Sequence, residues 1–330
     1  MRRLTAPHVV PVWTRVVGYL LVMVTYVSCY TSSGDGATDG EDATTIDESA
    51  ARDDGGDDSA DTVDDGLDPG MVRVPGGTVL LGSDESECLE DAPLHEAYVD
   101  AFEIDLTEVT NGAYLNCVAA GACLPPTEAR SLTRNPYYGT DEFANYPVVN
   151  VDWERADAFC RWLGKRLPTE AEWEKAARGG CEVAGDPTAC EPAFDARSRP
   201  WGDELPTCER ANAYRDCIGD TAAVGSHPRD VSPYGVLDMG GNVAEIVNDY
   251  FVPDYAGAVE YWNPVGPTAD AARGYCGSGS DPAQSCHVRK GDSFDGFLSD
   301  PRSTQEELTC RVAIFHLSYG LGFRCARDAP

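Results

Sequence analysis

The side chains with the widest chemistry in this chain are its thirteen cysteines and five histidines. Thiolates are nucleophiles and soft metal ligands, and imidazoles are bases and ligands; each role needs partners at a set spacing. No Cys-x-x-Cys occurs, which removes the usual zinc-ribbon and thioredoxin patterns. Eight cysteines form four pairs close in sequence instead: Cys117 with Cys123, Cys181 with Cys190, Cys208 with Cys217, and Cys276 with Cys286. Short loops of this kind read as disulfides pinning surface excursions in an oxidising compartment. The histidines are His8, His95, His227, His287 and His316, with no i,i+4 pair among them. They encode no helical metal face and read as dispersed surface residues.

The elements around these side chains begin with the N-terminus. Arg2, Arg3 and Arg15 precede an apolar run over 16–27 that ends at Tyr26-Val27-Ser28-Cys29. That run is shorter than the roughly 20 residues a helix needs to cross a bilayer, so residues 1–29 read as a signal peptide. A small residue followed by cysteine after such a run resembles the bacterial lipoprotein processing site, with Cys29 as the lipidated residue. Tyr26 stands where leucine is usual, and plain cleavage with release is the alternative. Without Cys29, twelve cysteines remain, an even number suited to six bridges.

Residues 30–70 hold 14 Asp or Glu against one Arg, interspersed with Gly, Ser, Thr and Ala. They have no apolar periodicity and cannot bury enough surface to offset chain entropy, so they read as an acidic, disordered tether. The aspartates lack the regular spacing of a calcium-binding repeat. The formal charge of −31 argues against nucleic acid and anionic lipid surfaces as partners.

The globular part is expected over 71–330. Val72 to Gly82 reads as two short strands around the Gly76-Gly77 turn, and 101–106 as a further strand. Thr110 is placed to cap a helix bearing Tyr114, Cys117 and Val118, with Gly121 as its stop. Asp152 caps the next, with Ala156, Phe159, Cys160 and Leu163 at helical spacing and Gly164 at its end. Thr169 and Glu172 form a capping box, and Trp173, Ala176 and Ala177 then face one way. After Arg178 the chain is rich in Gly, Pro and Asp. An α+β domain with much irregular backbone, stapled by disulfides, follows from this.

The same helix and cap carry a family resemblance. Ala158-Phe159-Cys160-Arg161-Trp162-Leu163-Gly164-Lys165-Arg166-Leu167-Pro168-Thr169-Glu170-Ala171-Glu172-Trp173-Glu174 resembles the signature of the formylglycine-generating enzyme (sulfatase-modifying factor) family. Further matches come in order: Pro200-Trp201-Gly202, Ala211-Asn212-Ala213, the Gly-Asn-Val-x-Glu stretch from Gly241 to Glu245, Lys290-Gly291-Asp292-Ser293-Phe294, and Gly322-Phe323-Arg324. The resemblance spans Met71 to Arg324 and implies a C-type-lectin-like α+β fold.

It also implies a chemistry that this chain departs from. The enzymes oxidise a substrate cysteine using two copper-binding cysteines shortly after the Gly-Gly-Ser-aromatic motif. Here Gly296 occupies the first of those positions, and no cysteine appears between Phe294 and Cys310. Asp295 and Asp300 are hard ligands and poor substitutes for thiolate toward copper(I). Copper and formylglycine formation are therefore not expected. Iron-dependent sulfoxide synthases of the ergothioneine type share the fold but resemble this chain less, because they draw histidine ligands from a helical domain. The expectation is a non-catalytic binding or structural module at the cell envelope, taking an extracellular or periplasmic ligand; the alternative is a metal-dependent oxidoreductase of either type.

The family fold carries calcium sites. The resemblance places one at Asn242 and Glu245, with backbone oxygens from Gly241 and Val243. A second falls at Asn212 and Ala213 with Asp216 and Ile218, on alignment of the Thr221-Ala222-Ala223-Val224 segment. It also implies a bridge between Cys160 and Cys325. The family's second long bridge is broken, since Ala177 stands at one partner position while Cys310 survives. Cys310 then pairs with Cys88, takes Cys181 and reshuffles the local set, or stays a reactive thiol.

Overall fold

The computed structural model describes residues 70–82, 94–183, 185, 190, 197–252, 261–275, 286–295, 312–313 and 319–330. All of these lie in one compact unit spanning 62–330. The segment expected to be a signal peptide, with Cys29, the segment expected to be a tether up to residue 69, and Cys88, Cys276, Gly296, Phe297, Asp300, Cys310 and His316 lie outside the described residues.

The local signals hold at the helices. Helix α1 (Asn111–Ala119) is capped by Thr110, whose side chain accepts the Ala113 N–H. Helix α2 (Trp153–Trp162) is capped by Asp152, which accepts from Arg155 N. Helix α3 (Glu170–Arg178) has both arms of the Thr169/Glu172 capping box. Gly121 and Gly164 take φ of +72° and +71°, left-handed values that end α1 and α2 at little steric cost.

The strands pair over long distances. β1 (Met71–Val74) and β2 (Gly77–Leu81) form as two short strands, with the break at Pro75-Gly76 and Gly77 already in β2, but they enter different sheets. β1 joins β4 (Phe102–Asp105) and then β9 (Ala326–Asp328), whereas β2 pairs with β3 (His95–Val99), a strand the sequence reading missed. A third sheet runs β7 (Val312–Ala313), β6 (His287–Lys290), β5 (Ala244–Tyr250), β8 (Leu321–Gly322), with β5 and β8 parallel.

Helix α3 is buried along its whole length and not on one face only. Its charges survive burial because each has a partner. Lys290 lies 3.5 Å from Glu170 and 3.2 Å from Glu174. Arg178 lies 3.1 Å from Glu174 and donates to the carbonyls of Leu80 and Gly82. Lys175 donates to Gly77 O, and its pKa falls to about 8 through burial, opposed by Glu182.

Among the described residues, four disulfides have both partners in place: Cys117–Cys123, Cys160–Cys325, Cys181–Cys190 and Cys208–Cys217. Cys181 thus stays in its local pair and is not taken by Cys310. Cys286 is also disulfide-bonded. The Cys160–Cys325 bridge joins α2 to the residue just before β9 across 165 residues; loop-closure entropy puts its contribution at about 5 kcal/mol.

Candidate functional site

Strand β6 delivers the segment that bears the copper thiolates in the resembling enzymes. At Gly291, φ is +80° and a Cβ would lie 3.0 Å from the Trp173 ring, so only glycine passes. Phe294 is fully buried, and its N–H bonds to Asn242 O at 3.0 Å. It is a core residue. Asp295 emerges to solvent and forms an ion pair with Arg215. Every cysteine among the described residues is disulfide-bonded, so none of them offers a thiolate.

Beneath this segment lies a buried polar network. Glu245, on β5, receives Arg324 Nε on Oε2 (2.7 Å) and Nη2 on Oε1 (2.6 Å), and Trp173 Nε1 also donates to Oε2 (2.8 Å). The remaining Arg324 N–H bonds go to the carbonyls of Asp105, Leu106 and Leu237. Burial opposes the charge on Arg324, but the Glu245 carboxylate outweighs it and holds its pKa above the normal range. Three further buried carboxylates, Glu108, Asp230 and Asp238, surround this pair. Burial, reinforced for Glu108 and Asp230 by the Asp238 charge, raises the pKa of all three.

Asn242 sits at φ +66°, the left-handed region that asparagine tolerates. Its Oδ1 accepts Ala222 N (2.7 Å) and Asn212 Nδ2 (3.3 Å), and its Nδ2 donates to Glu108 Oε1 (2.9 Å). A calcium ion needs several oxygens free to face it. Here both Glu245 oxygens face a guanidinium and Asn242 Oδ1 faces two N–H groups. The expected calcium pair Asn242/Glu245, with Gly241 and Val243, therefore does not fit an ion as placed: these residues are brought together, but as a hydrogen-bond and ion-pair network.

The Asn212 loop differs. The Cys208–Cys217 bridge closes it. Asn212 Nδ2 donates to Asp220 O (2.9 Å), yet Asn212 Oδ1 is buried with no hydrogen-bond partner. Such an oxygen is costly to desolvate and suits a hard cation. Ala213 is buried, while Asp216 and Ile218 stand at the surface. Among the described residues, no group of three His, Cys, Asp or Glu side chains is placed to hold a metal. A shell here would draw on Asn212 Oδ1, the Asp216 carboxylate and backbone carbonyls.

Two clefts open away from this network. One, of about 650 Å³, is walled by Arg166, Glu172, Asn263, Val265 and Asp328; Arg166 is held bidentate by Glu172 (2.7 and 2.7 Å) and by Asp328. The other, of about 230 Å³, adjoins it at Val265 and contains His287. His287 is stacked on Trp153 (4.2 Å) and tilted against Tyr250 (4.0 Å), its Nδ1–H donates to Asn248 O, and burial lowers its pKa to about 4. Neither cleft has a local sequence signature, because each is assembled from distant segments.

The family model for the sulfatase-modifying factor enzyme 1-like domain matches residues 59–329. The chain belongs to this family. It is 30% identical over 311 residues to the formylglycine-generating enzyme of Streptomyces coelicolor, covering 79% of this chain and 90% of that one. It is 33% identical over 270 residues to serine/threonine-protein kinase pkn1 of Chlamydia pneumoniae, covering 78% of this chain but 38% of that protein. The chain thus spans well under half of that relative, and the match gives no ground for kinase activity. Among solved structures, PvdO from Pseudomonas aeruginosa superposes with a TM-score of 0.56 at 25% identity, over 78% of this chain and 94% of that one. The α+β fold of the formylglycine-generating-enzyme type is thereby established.

Proposed function

We propose that this sulfatase-modifying-factor domain is a non-catalytic binding or structural module, carried on a lipoprotein tethered through Cys29 at the cell envelope. One observation carries the reading: no cysteine lies between Phe294 and Cys310, and glycine stands at 296, where the resembling enzymes place their first copper thiolate. Copper(I) needs soft ligands, and the described cysteines are committed to disulfides. What the fold retains is scaffold: the capped helices, the Glu245–Arg324 pair and the Cys160–Cys325 bridge. A calcium ion on the Asn212 loop belongs to this proposal in a structural role. The ligand is extracellular or periplasmic in this reading, and the long acidic tether sets its distance from the membrane.

The test is incubation with a Cys-x-Pro-x-Arg peptide, copper, oxygen and a thiol reductant, followed by mass spectrometry. The peptide is expected to return unchanged. Conversion of its cysteine to formylglycine above a protein-free control would overturn the non-catalytic reading.

A further inference from the structure

Asn212 is tied to Asn242 twice. Its carbonyl accepts the Asn242 N–H at 2.8 Å, and its Nδ2 donates to Asn242 Oδ1 at 3.3 Å. On the other side of the same residue, Asn242 O accepts the Phe294 N–H at 3.0 Å. Asn242 therefore stands between the loop with the unpartnered oxygen and the segment that leads to position 296. We infer that a cation on the Asn212 loop and the entry of the Phe294 segment are one mechanical unit, joined through Asn242.

Three features leave this joint little slack. Asn242 holds a left-handed backbone, so its two flanking peptides have a fixed relative orientation. A Cβ on Gly241 would lie 3.0 Å from Asn212 C, so the two backbones are already at closest approach. The Asn242 amide has both ends engaged, by Ala222 N and Asn212 Nδ2 on the oxygen and by Glu108 on the nitrogen. Asn212, Asn242 and Phe294 are all buried. An ion that fixes Asn212 Oδ1 fixes the orientation of the whole amide, and with it the Nδ2 bond to Asn242. Any opening that frees Phe294 by moving Asn242 then requires disturbing the ion's ligand. Phe294, at the entry to the segment that bears catalytic thiolates in the resembling enzymes, would in this chain be braced by a metal on the Asn212 loop.

The inference rests on the proposed ion at Asn212, and the two are separable by experiment. Calorimetry with calcium on the mature chain measures binding. Hydrogen exchange at single residues, with and without calcium, measures the joint at the Asn242 and Phe294 amides. With calcium at 100 times its dissociation constant, an opening that releases the ion is suppressed about 100-fold. Protection of both amides should rise by up to that factor. The Ala120 amide, bonded to Asn116 at the exposed end of α1, should not change. Asn242→Gly keeps the left-handed turn and removes the side-chain link; it should still bind calcium but show a smaller gain at Phe294. If calcium binds and Phe294 protection is unchanged, the coupling is wrong and the ion site stands. If calcium does not bind, the ion reading fails and takes the coupling with it.

Discussion

Replacing Glu245 by Gln keeps the shape of the buried pair and removes one of its two charges. Arg324 is 0% and Glu245 1% exposed on their side chains, so water cannot take over the lost partner. The substitution also turns one acceptor into an N–H₂ group facing donors from Arg324 and Trp173. Removing one member of a buried pair costs about 3–5 kcal/mol. The lower end applies here, because Glu108, Asp230 and Asp238 lie close enough to Arg324 to ionise in compensation. A loss of about 3 kcal/mol corresponds to a fall in Tm of about 6–12 °C for a domain of this size. Urea unfolding at pH 7 followed by circular dichroism, in the presence of a chelator, measures it. A loss below about 1 kcal/mol would refute the burial and saturation of the pair. A loss seen only with calcium present would show that Glu245 serves an ion and not Arg324.

His287 titrates at about 4 in the fold and near 6.5 in the unfolded chain. The unfolded state therefore binds the proton first, and stability present above pH 6.5 is lost as pH falls toward 4, by about 3 kcal/mol. His287→Phe keeps the ring contacts with Trp153 and Tyr250 and should flatten this part of the pH–stability curve; an unchanged curve would place the titration elsewhere. Lipidation at Cys29 predicts incorporation of a palmitate analogue and membrane fractionation, both abolished by Cys29→Ala. A Cys29→Ala product that still fractionates with membranes would refute the anchor.

What the sequence made legible was local. Thr110, Asp152 and the Thr169/Glu172 box are caps within one turn of their helices, and each forms as read. The pairing of β2 with β3 and the parallel contact of β5 with β8 were not legible, because nothing near those strands specifies a distant partner. Helix α3 looked half-exposed because its sequence is half charged; Lys290, the ion that pairs with Glu170 and Glu174, lies more than a hundred residues away. Glu245 was recognised as important by its motif and assigned to calcium. Its partner Arg324 was also in a recognised motif, but the two are 79 residues apart, and only the fold brings the guanidinium to the carboxylate. The Asn212 site rested on aligning a segment nine or more residues away, and there a buried oxygen is left without a donor.

The central claim is that this domain has given up its family's metal chemistry, and copper(I) itself tests it most directly. Titration of the oxidised mature chain against a chromophoric copper(I) chelator, under anaerobic conditions, reads the stoichiometry of tight binding. The account predicts that the chelator keeps all of its copper, because the described thiols are in disulfides and Gly296 offers no ligand. Withdrawal of one equivalent per chain would contradict it. Loss of that equivalent in Cys310→Ala or Cys88→Ala would then identify the thiolate that the account leaves out.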